Sequence, residues 1–203
     1  MTEAPPTAGR RGDDTRQAIE IAAIDLFAEL GYHAASMRQI ADRAGIRPAA
    51  IYHWFESKES ILTRLQNDFI DQLEDAVEEA VNQADDPVGK MAAAVREHVV
   101  FHGRHTRAAF VTDSEIRALS PNSRQHLLAR RDAYEAMFKQ LITKGIESGD
   151  FRVSDPAVAS FAILLQCTGV ALWYDPEGSL SLDRIASIHV ELVLGSLGVK
   201  VQT

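Results

Sequence analysis

The fold is decided by residues 36–62, SMRQIADRAGIRPAAIYHWFESKESIL. Ser36 is a good N-cap for a short helix, and Gly45 permits a tight turn after that helix. Pro48 suits the first position of a following helix, which continues through residues 49–55, because that position needs no backbone N–H. A capped helix, an Ala-x-x-Ala-Gly turn and a Pro-started helix predict a helix-turn-helix, whose second helix enters the DNA major groove.

Long helices are predicted on both sides of this unit. Apolar side chains recur at helical spacing over residues 14–30, between a capping Asp14 and a terminating Gly31. A further long helix follows Ser57, and capping residues beyond Asp86 indicate several more, while no segment alternates as a strand does. The sequence therefore predicts an all-α fold of about nine helices, with a three-helix DNA-binding domain at the N-terminus.

Composition and charge are those of an ordinary globular protein. The chain has 203 residues, of which 46% are hydrophobic and 25% charged. Its formal net charge of −8 argues against a nonspecific nucleic-acid coat, but phosphate contact needs only a local basic surface. Cationic side chains near the N-terminus that provide one are Arg10, Arg11, Arg16, Arg38, Arg43, Arg47 and Lys58.

The cysteine content and the apolar segments of the chain indicate the cellular compartment. The lone Cys167 excludes an internal disulfide and fits the cytoplasm. The polar first residues do not resemble a signal peptide. The most apolar segment, residues 157–173, is interrupted by Ser160, Gln166 and Thr168, so we expect a buried helix and no membrane span.

The helix-turn-helix region resembles the TetR family of one-component bacterial repressors. The family pattern is matched by Ser36, Ile40, Ala41, Ala44, Gly45, Ile46, Ile51, Tyr52, Phe55, Lys58, Glu59 and Leu62. Three residues depart from it: Arg47 replaces a small capping residue, Ala49 a frequent Gly, and Trp54 a frequent His or Tyr. These departures affect the DNA sequence that is recognised and leave the fold prediction unchanged.

The resemblance implies a DNA interface on the helix-turn-helix. Tyr52 and Lys58 are expected to contact phosphates, and Arg38 a base edge. The implied DNA-binding set is Ser36, Arg38, Arg47, Pro48, Ala49, Ala50, Tyr52, His53, Trp54 and Lys58. Alternatively, Tyr52 and Trp54 are core aromatics and His53 is merely solvated.

The resemblance also implies three domains: a disordered arm (1–12), the DNA-binding domain (13–60) and a ligand-binding and dimerisation domain (61–203). The last two long helices are apolar nearly all round, which favours a four-helix bundle between two subunits of a homodimer. Candidate residues lining a ligand cavity are His98, Phe101, His102, Phe110, Met137, Phe138, Gln166 and Trp173. Plain core packing is the alternative for each of them.

Two C-terminal segments resemble acyl-CoA-responsive members of the family. They are RRDAYEAMFKQLITKGIESGDF, residues 130–151, and WYDPEGSLS, residues 173–181. They imply a double-stranded operator as one partner and an acyl-CoA or lipid-like effector as the other. An uncharged hydrophobic drug is the alternative effector.

Two other functions have weaker support in the sequence. His98, His102 and His105 share one helix face and would bind a metal if a carboxylate joined them from another helix. The chain has no Gly-rich phosphate loop, no G-x-S-x-G elbow and no H-E-x-x-H pair. We therefore expect neither an enzyme nor a cofactor, and no resident metal.

Overall fold

The computed structural model describes residues 8–199, with side chains from Gly12 onward. Within that range the regular structure consists of nine α-helices and two 3₁₀ turns, Ala50–His53 and Ile116–Ala118. The α-helices are α1 (Ala8–Leu30), α2 (Met37–Arg43), α3 (Lys58–Asn82), α4 (Pro87–Arg104), α5 (Thr106–Ser114), α6 (Pro121–Ser148), α7 (Pro156–Thr168), α8 (Val170–Trp173) and α9 (Leu182–Ser196). The all-α prediction is confirmed.

Side-chain caps fix where most of these helices begin. Ser36 and Gln39 form the predicted capping box: Ser36 Oγ accepts from Gln39 N at 3.3 Å, and Gln39 Oε1 accepts from Ser36 N at 2.9 Å. Capping side chains also precede α3, α4, α6, α7 and α9. These contacts satisfy backbone N–H groups that a helix start leaves without partners.

The start of α1 differs from the prediction. The helix begins at Ala8, so Asp14 lies inside it and is not its N-cap. Of the predicted disordered arm, residues 8–12 are helical and residues 1–7 lie outside the described range. A tertiary contact supports the extra turn, since a Cβ placed on Gly12 would lie 3.1 Å from Cη2 of Trp54.

The predicted third helix is shorter than expected. Only Ala50–His53 form a closed 3₁₀ turn, and the amides of Trp54 and Phe55 both donate to the Ile51 carbonyl at 3.0 Å. The element is short because little chain is left for it. Pro48 has no backbone N–H to donate to an upstream carbonyl, and Ser57, soon after His53, already caps α3. Before it, Gly45 supplies the left-handed conformation of the turn, with φ of +70°.

Two apolar cores organise the chain, and α3 contributes to both. The N-terminal core is built around Phe27, Ile40 and Ile51. Leu65 on α3 still belongs to it, whereas Val77 on the same helix belongs to the larger C-terminal core. The boundary predicted after residue 60 therefore falls inside a continuous helix, and the two halves are mechanically joined.

One face of the C-terminal half is apolar and uncovered. By length and composition alone, Pro156–Trp173 could cross a membrane, and 22% of this stretch is buried in the single chain. Its inner side is packed through Ile163 and Val170. Large exposed apolar side chains on α7, α8 and α9 are Val158, Phe161, Leu165, Leu172, Trp173 and Leu192. The inner face of the segment is thus buried, as predicted, and burial of its outer face by a second subunit stays a prediction.

Candidate DNA interface and effector cavity

The start of α2 and the 3₁₀ turn present one exposed face. Tyr52 is 56% and Trp54 40% exposed, so neither is the core aromatic that the sequence allowed. Among the predicted DNA-binding residues, Ser36, Arg38, Arg47, Pro48, Ala49, Tyr52, His53 and Trp54 are exposed, whereas Ala50 and Lys58 are half-buried. The outward face combines cations with an aromatic phenol and an indole, groups that can donate to phosphates and base edges.

The exposed cation on α2 is held only loosely by the protein. Arg38 Nε lies 3.8 Å from Asp42 Oδ2, one helical turn away, and both side chains are largely exposed. A surface pair of this kind contributes little to stability. The Arg38 guanidinium is therefore free to leave Asp42 for an acceptor on DNA.

The ammonium group of Lys58, which the resemblance places against a DNA phosphate, is hydrogen-bonded within the protein. Its Nζ donates to the carbonyl oxygens of Tyr32 at 2.6 Å, Ala35 at 2.6 Å and His33 at 3.3 Å. It also lies 4.4 Å from the centre of the Tyr32 ring. An ammonium has three N–H donors, and here all three are used. Lys58 thus fastens the loop before α2 to the start of α3, and its contact with a phosphate stays a prediction.

Helix α5 ties the two halves together. Val111 on α5 is buried within the N-terminal core. Arg107 Nη1 lies 2.5 Å from Asp25 Oδ1 on α1. Beyond α5, Glu115 Oε1 accepts from the Tyr32 amide at 3.2 Å. Helix α5 is therefore in direct contact with α1, and the residue that follows it with the loop before α2.

An internal cavity of about 160 Å³ lies on the opposite side of α5. Helices α3, α4, α5, α6 and α7 all contribute to its wall. The lining residues are Gln66, Phe69, Ile70, Leu73, His98, His102, Asp113, Leu127, Arg131, Tyr134, Leu164 and Thr168. Apolar walls with a few polar groups are typical of small-molecule sites.

The two cavity histidines are neutral. Burial lowers the pKa of His98 well below its ordinary value, and the neighbouring His102 lowers it further. His98 Nδ1 is 2.9 Å from the Tyr134 hydroxyl and Nε2 is 3.1 Å from Thr168 Oγ1. Burial also lowers the pKa of His102, although its backbone hydrogen bond to His98 works in the opposite direction.

The tautomer of His102 follows from its hydrogen bond. His102 Nδ1 lies 2.9 Å from the His98 carbonyl oxygen. Because a carbonyl only accepts, Nδ1 carries the proton. In a neutral ring Nε2 is then an unprotonated acceptor, and it has no hydrogen-bond partner among residues 12–199.

Gln66 is the functional candidate that the sequence analysis missed. It is 2% exposed and lines the cavity from α3. Within the described part of the chain, neither its Nε2 nor its Oε1 has a partner. A buried polar atom left unpaired costs about 1–3 kcal/mol. The available signal was a Gln inside the apolar stripe of α3, between Leu65 and Phe69.

The cavity opens into an outer groove of about 510 Å³. Asp113, Arg131, Leu164 and Thr168 line both spaces and so form the mouth between them. Arg131 Nη2 lies 3.0 Å from Asp113 Oδ1 and donates to the Thr112 carbonyl at 3.0 Å. The mouth is therefore built from an ion pair that is anchored on α5.

The predicted ligand residues are dispersed. His98 and His102 line the cavity, and Phe110 lines the outer groove. Met137 and Gln166 line two other surface depressions. Phe101 and Phe138 are core residues packed behind the cavity wall, and Trp173 is 56% exposed and stacks on His189 at 6.4 Å. The sequence could not distinguish aromatics facing the cavity from those facing the core.

The histidine face of α4 is not arranged for a metal. Among residues 12–199, no three His, Cys, Asp or Glu side chains form a group suited to an ion. Both ring nitrogens of His98 are already engaged, and His105 Nδ1 lies 2.9 Å from the Phe101 carbonyl. These contacts are structural ones within α4 and toward its neighbours.

Comparison with known proteins matches both halves of the chain. Residues 21–65 match the model "Bacterial regulatory proteins, tetR family", and residues 84–197 match "Tetracyclin repressor-like, C-terminal domain". The transcriptional repressor KstR2 of Rhodococcus jostii is 32% identical over 97% of this chain and 98% of its own length.

Solved structures agree with the sequence matches. A tetR-family regulatory protein from Rhodococcus has a TM-score of 0.86 and 27% identity, covering 92% of this chain and 98% of its own. The regulator AibR, in complex with isovaleryl coenzyme A and operator DNA, has a TM-score of 0.80 and 26% identity, covering 88% and 97%. The protein therefore belongs to the TetR family of bacterial transcriptional regulators: it is a ligand-responsive DNA-binding protein and not an enzyme.

Proposed function

We propose that the protein is a homodimeric repressor that leaves its operator when a CoA thioester with a short acyl group enters the cavity. The observation that carries this is the connection of a cavity of about 160 Å³, lined by the buried side chains of Gln66 and His98, to an outer groove of about 510 Å³. The cavity has room for a compact acyl group, and the groove leads outward from it at Asp113 and Arg131. Leu165 and Leu172 also line the groove and lie on the face assigned below to the dimer, so the larger carrier would pass along the subunit interface. AibR with bound isovaleryl coenzyme A and the KstR2 repressors support this effector class.

The route from effector to DNA runs through α5. Arg131 holds α5 through Asp113 and the Thr112 carbonyl. A thioester passing the mouth competes for Arg131 and shifts α5, which is packed on α1 through Val111 and Arg107. Only an effector that binds the shifted state more tightly can move the equilibrium. The shift then changes the distance between the two recognition faces of a dimer.

We assign the dimer interface to the uncovered apolar face of α7, α8 and α9. Leu165 and Leu172 are more than three-quarters exposed in the single chain, at 78% and 75%. Contiguous exposed apolar surface of this kind marks an interface. Two-fold pairing through it would place two recognition turns on successive major grooves, about 34–36 Å apart.

A charge at this interface tests the assignment. Leu165→Glu should yield a monomer by sedimentation and should weaken operator binding by at least about a hundredfold, because each subunit alone reads one half-site. Val88→Glu is the control, since Val88 lies on α4 away from that face and is not fully buried. A Leu165→Glu protein that stays dimeric contradicts the assignment.

We assign DNA contact to the exposed residues of α2 and the 3₁₀ turn. The set is Ser36, Arg38, Arg47, Pro48, Ala49, Tyr52, His53 and Trp54, with Ala50 at its edge. Lys58 acts behind this face by holding the loop that precedes α2. Because a regulator of this kind binds chromosomal DNA, we place it in the cytoplasm.

The effector class is tested with DNA from upstream of the protein's own gene. A gel-shift titration should show release by isovaleryl-CoA and hexanoyl-CoA, and no release by free CoA. Leu164→Trp, which fills the mouth of the cavity, should bind DNA and ignore the thioesters. Leu180→Trp is the control at an exposed leucine. Release by an uncharged hydrophobic compound, with every thioester inactive, would reject this effector class.

A further inference from the structure

We propose that the buried end of the effector carries a hydroxyl group, which is received by Gln66 and His102. The proposal rests on the proposed function, because it concerns the effector of the same cavity. It identifies which feature of a bound molecule the cavity recognises: an alcohol, in preference to a ketone or a plain hydrocarbon end.

The side-chain amide of Gln66 has hydrogen-bonding groups that a ligand hydroxyl would satisfy. Its amide is buried on α3, lines the cavity, and lacks a partner at both Nε2 and Oε1 within residues 12–199. The choice of amide orientation does not affect this, because both ends are unpaired. Placing such a group in an apolar core costs stability, so a ligand that pairs it recovers that cost on binding.

The imidazole of His102 presents a hydrogen-bond acceptor. Its Nδ1–H is committed to the His98 carbonyl at 2.9 Å, which leaves Nε2 as an acceptor. His98 cannot donate to it from the same cavity, since both nitrogens of His98 are held by Tyr134 and Thr168. Asp113, Arg131, Tyr134 and Thr168 also line the cavity, but each is already paired with another side chain of the protein. The groups left for a ligand are two acceptors, His102 Nε2 and Gln66 Oε1, and one donor group, the Gln66 amide.

Those groups select a hydroxyl over other oxygen functions. An alcohol both donates and accepts, so it can pair an acceptor of the cavity and the Gln66 amide. A ketone only accepts and would leave both cavity acceptors unpaired, and a hydrocarbon would leave all three groups unpaired. A carboxylate would find no cation at His102, which is neutral, and the cationic side chain of the wall, Arg131, is already paired with Asp113 at the mouth.

Water is the natural competitor for this position. A polar cavity of about 160 Å³ has room for ordered water when no effector is bound. A ligand hydroxyl that displaces such a water reproduces its hydrogen bonds, whereas an alkyl end does not. The preference for an alcohol is therefore expected as a difference between matched ligands.

Calorimetric titration with two thioesters of equal size measures that difference. The probes are 6-hydroxyhexanoyl-CoA and heptanoyl-CoA, in which a methyl group replaces the hydroxyl. We expect the hydroxylated thioester to bind about tenfold more tightly, from the pairing of buried groups. Equal affinity, or tighter binding of heptanoyl-CoA, would overturn the hydroxyl proposal while leaving the acyl-CoA function intact.

A matched pair of variants separates Gln66 from general effects. Gln66→Leu should reduce the preference below about threefold and should raise the melting temperature of the free protein, because it removes a buried unpaired amide. Gln72→Leu, at an exposed position of the same helix, should retain the wild-type preference. A Gln66→Leu protein that keeps the full preference contradicts the assignment to this residue.

A fragment assay tests the cavity without the CoA carrier. Cyclohexanol and cyclohexanone differ only in the donor, and ligand-observed NMR should show cyclohexanol binding about fivefold more tightly to the wild type. If this holds while no thioester binds, the effector class is wrong and the hydroxyl site stands. Indifference to the two fragments, with water as the only polar occupant, would overturn the hydroxyl proposal.

Discussion

The recognition face and the effector cavity differ in how the polar groups beside them are paired. In the DNA-binding half, Lys58 satisfies three carbonyls and Ser36 forms a reciprocal cap with Gln39. In the effector half, the buried Gln66 amide and the His189 Nδ1 atom have no partner among the described residues. The groups that hold the recognition face are thus paired within the protein, although Glu20 Oε1 on α1 also lacks a hydrogen-bond partner among the described residues. At the cavity, the proposed effector would supply the partner that Gln66 lacks.

This difference has a physical explanation. A recognition surface must hold its shape to read a DNA sequence, so its supporting groups are paired within the protein. An effector cavity must favour a different arrangement when occupied, so unpaired groups at its wall favour occupancy. Substitutions in the DNA-binding half and a change of pH that acts on the effector half test this explanation.

The largest expected effect comes from Lys58→Met, which keeps the aliphatic stem and removes the ammonium. Three carbonyl oxygens lose their partner, and we expect the free energy of unfolding to fall by about 3 kcal/mol. Urea denaturation at fixed protein concentration measures this. The salt dependence of operator binding should stay as in the wild type if the Lys58 ammonium remains bonded to the three carbonyls in the DNA complex, as we propose.

Arg47→Ala provides the contrast to Lys58→Met. Arg47 is exposed on the recognition face, so its loss should leave stability unchanged and reduce the slope of log affinity against log salt by about one. If Lys58→Met reduces that slope without loss of stability, Lys58 contacts a phosphate and does not hold the loop, which contradicts the role assigned to it.

An intermediate effect is expected for Arg38→Ala. Its guanidinium is 83% exposed and only weakly paired with Asp42. Loss of a bidentate contact to guanine should remove about 2 kcal/mol of discrimination between the operator and a scrambled duplex. Fluorescence anisotropy with both duplexes measures it. Equal losses on both would show that Arg38 contacts the backbone instead of a base.

The smallest effect concerns pH and the effector half. Burial lowers the pKa of His98 well below 6.5, so the unfolded chain takes up a proton where the folded one does not. Stability contributed by this group is complete above pH 6.5 and is lost as the pH falls through that value toward the lowered folded pKa. We expect about 1 kcal/mol less stability at pH 5.5 than at pH 7.5 from His98 alone.

Urea denaturation at the two pH values checks this sign. His98→Gln should show a smaller loss between pH 7.5 and 5.5, because an amide does not titrate in this range. His126→Gln, at an exposed position of α6, is the control and should behave as the wild type. Greater stability at pH 5.5 would show that His98 is protonated in the folded protein.

The helix-turn-helix was predictable because its information is local. Ser36 pairs with a residue three positions on, Gly45 adopts the left-handed conformation it favours, and Pro48 lies in the turn just before the 3₁₀ element that begins at Ala50. The length of the recognition element was not predictable from the same residues. It depends on how Ile51 and Phe55 reach a core built partly from α1 and from beyond α3.

By itself, the sequence determined the all-α class, the starts of the capped helices after α1 and the family, because capping, turn chemistry and helical periodicity act over a few residues. Only the tertiary structure decided that Lys58 is enclosed by carbonyls, that Gln66 is unpaired at a cavity, and that Phe101 and Phe138 lie behind its wall. Those properties depend on which helices meet across long sequence distances. Spacing along one helix cannot tell a cavity wall from a core.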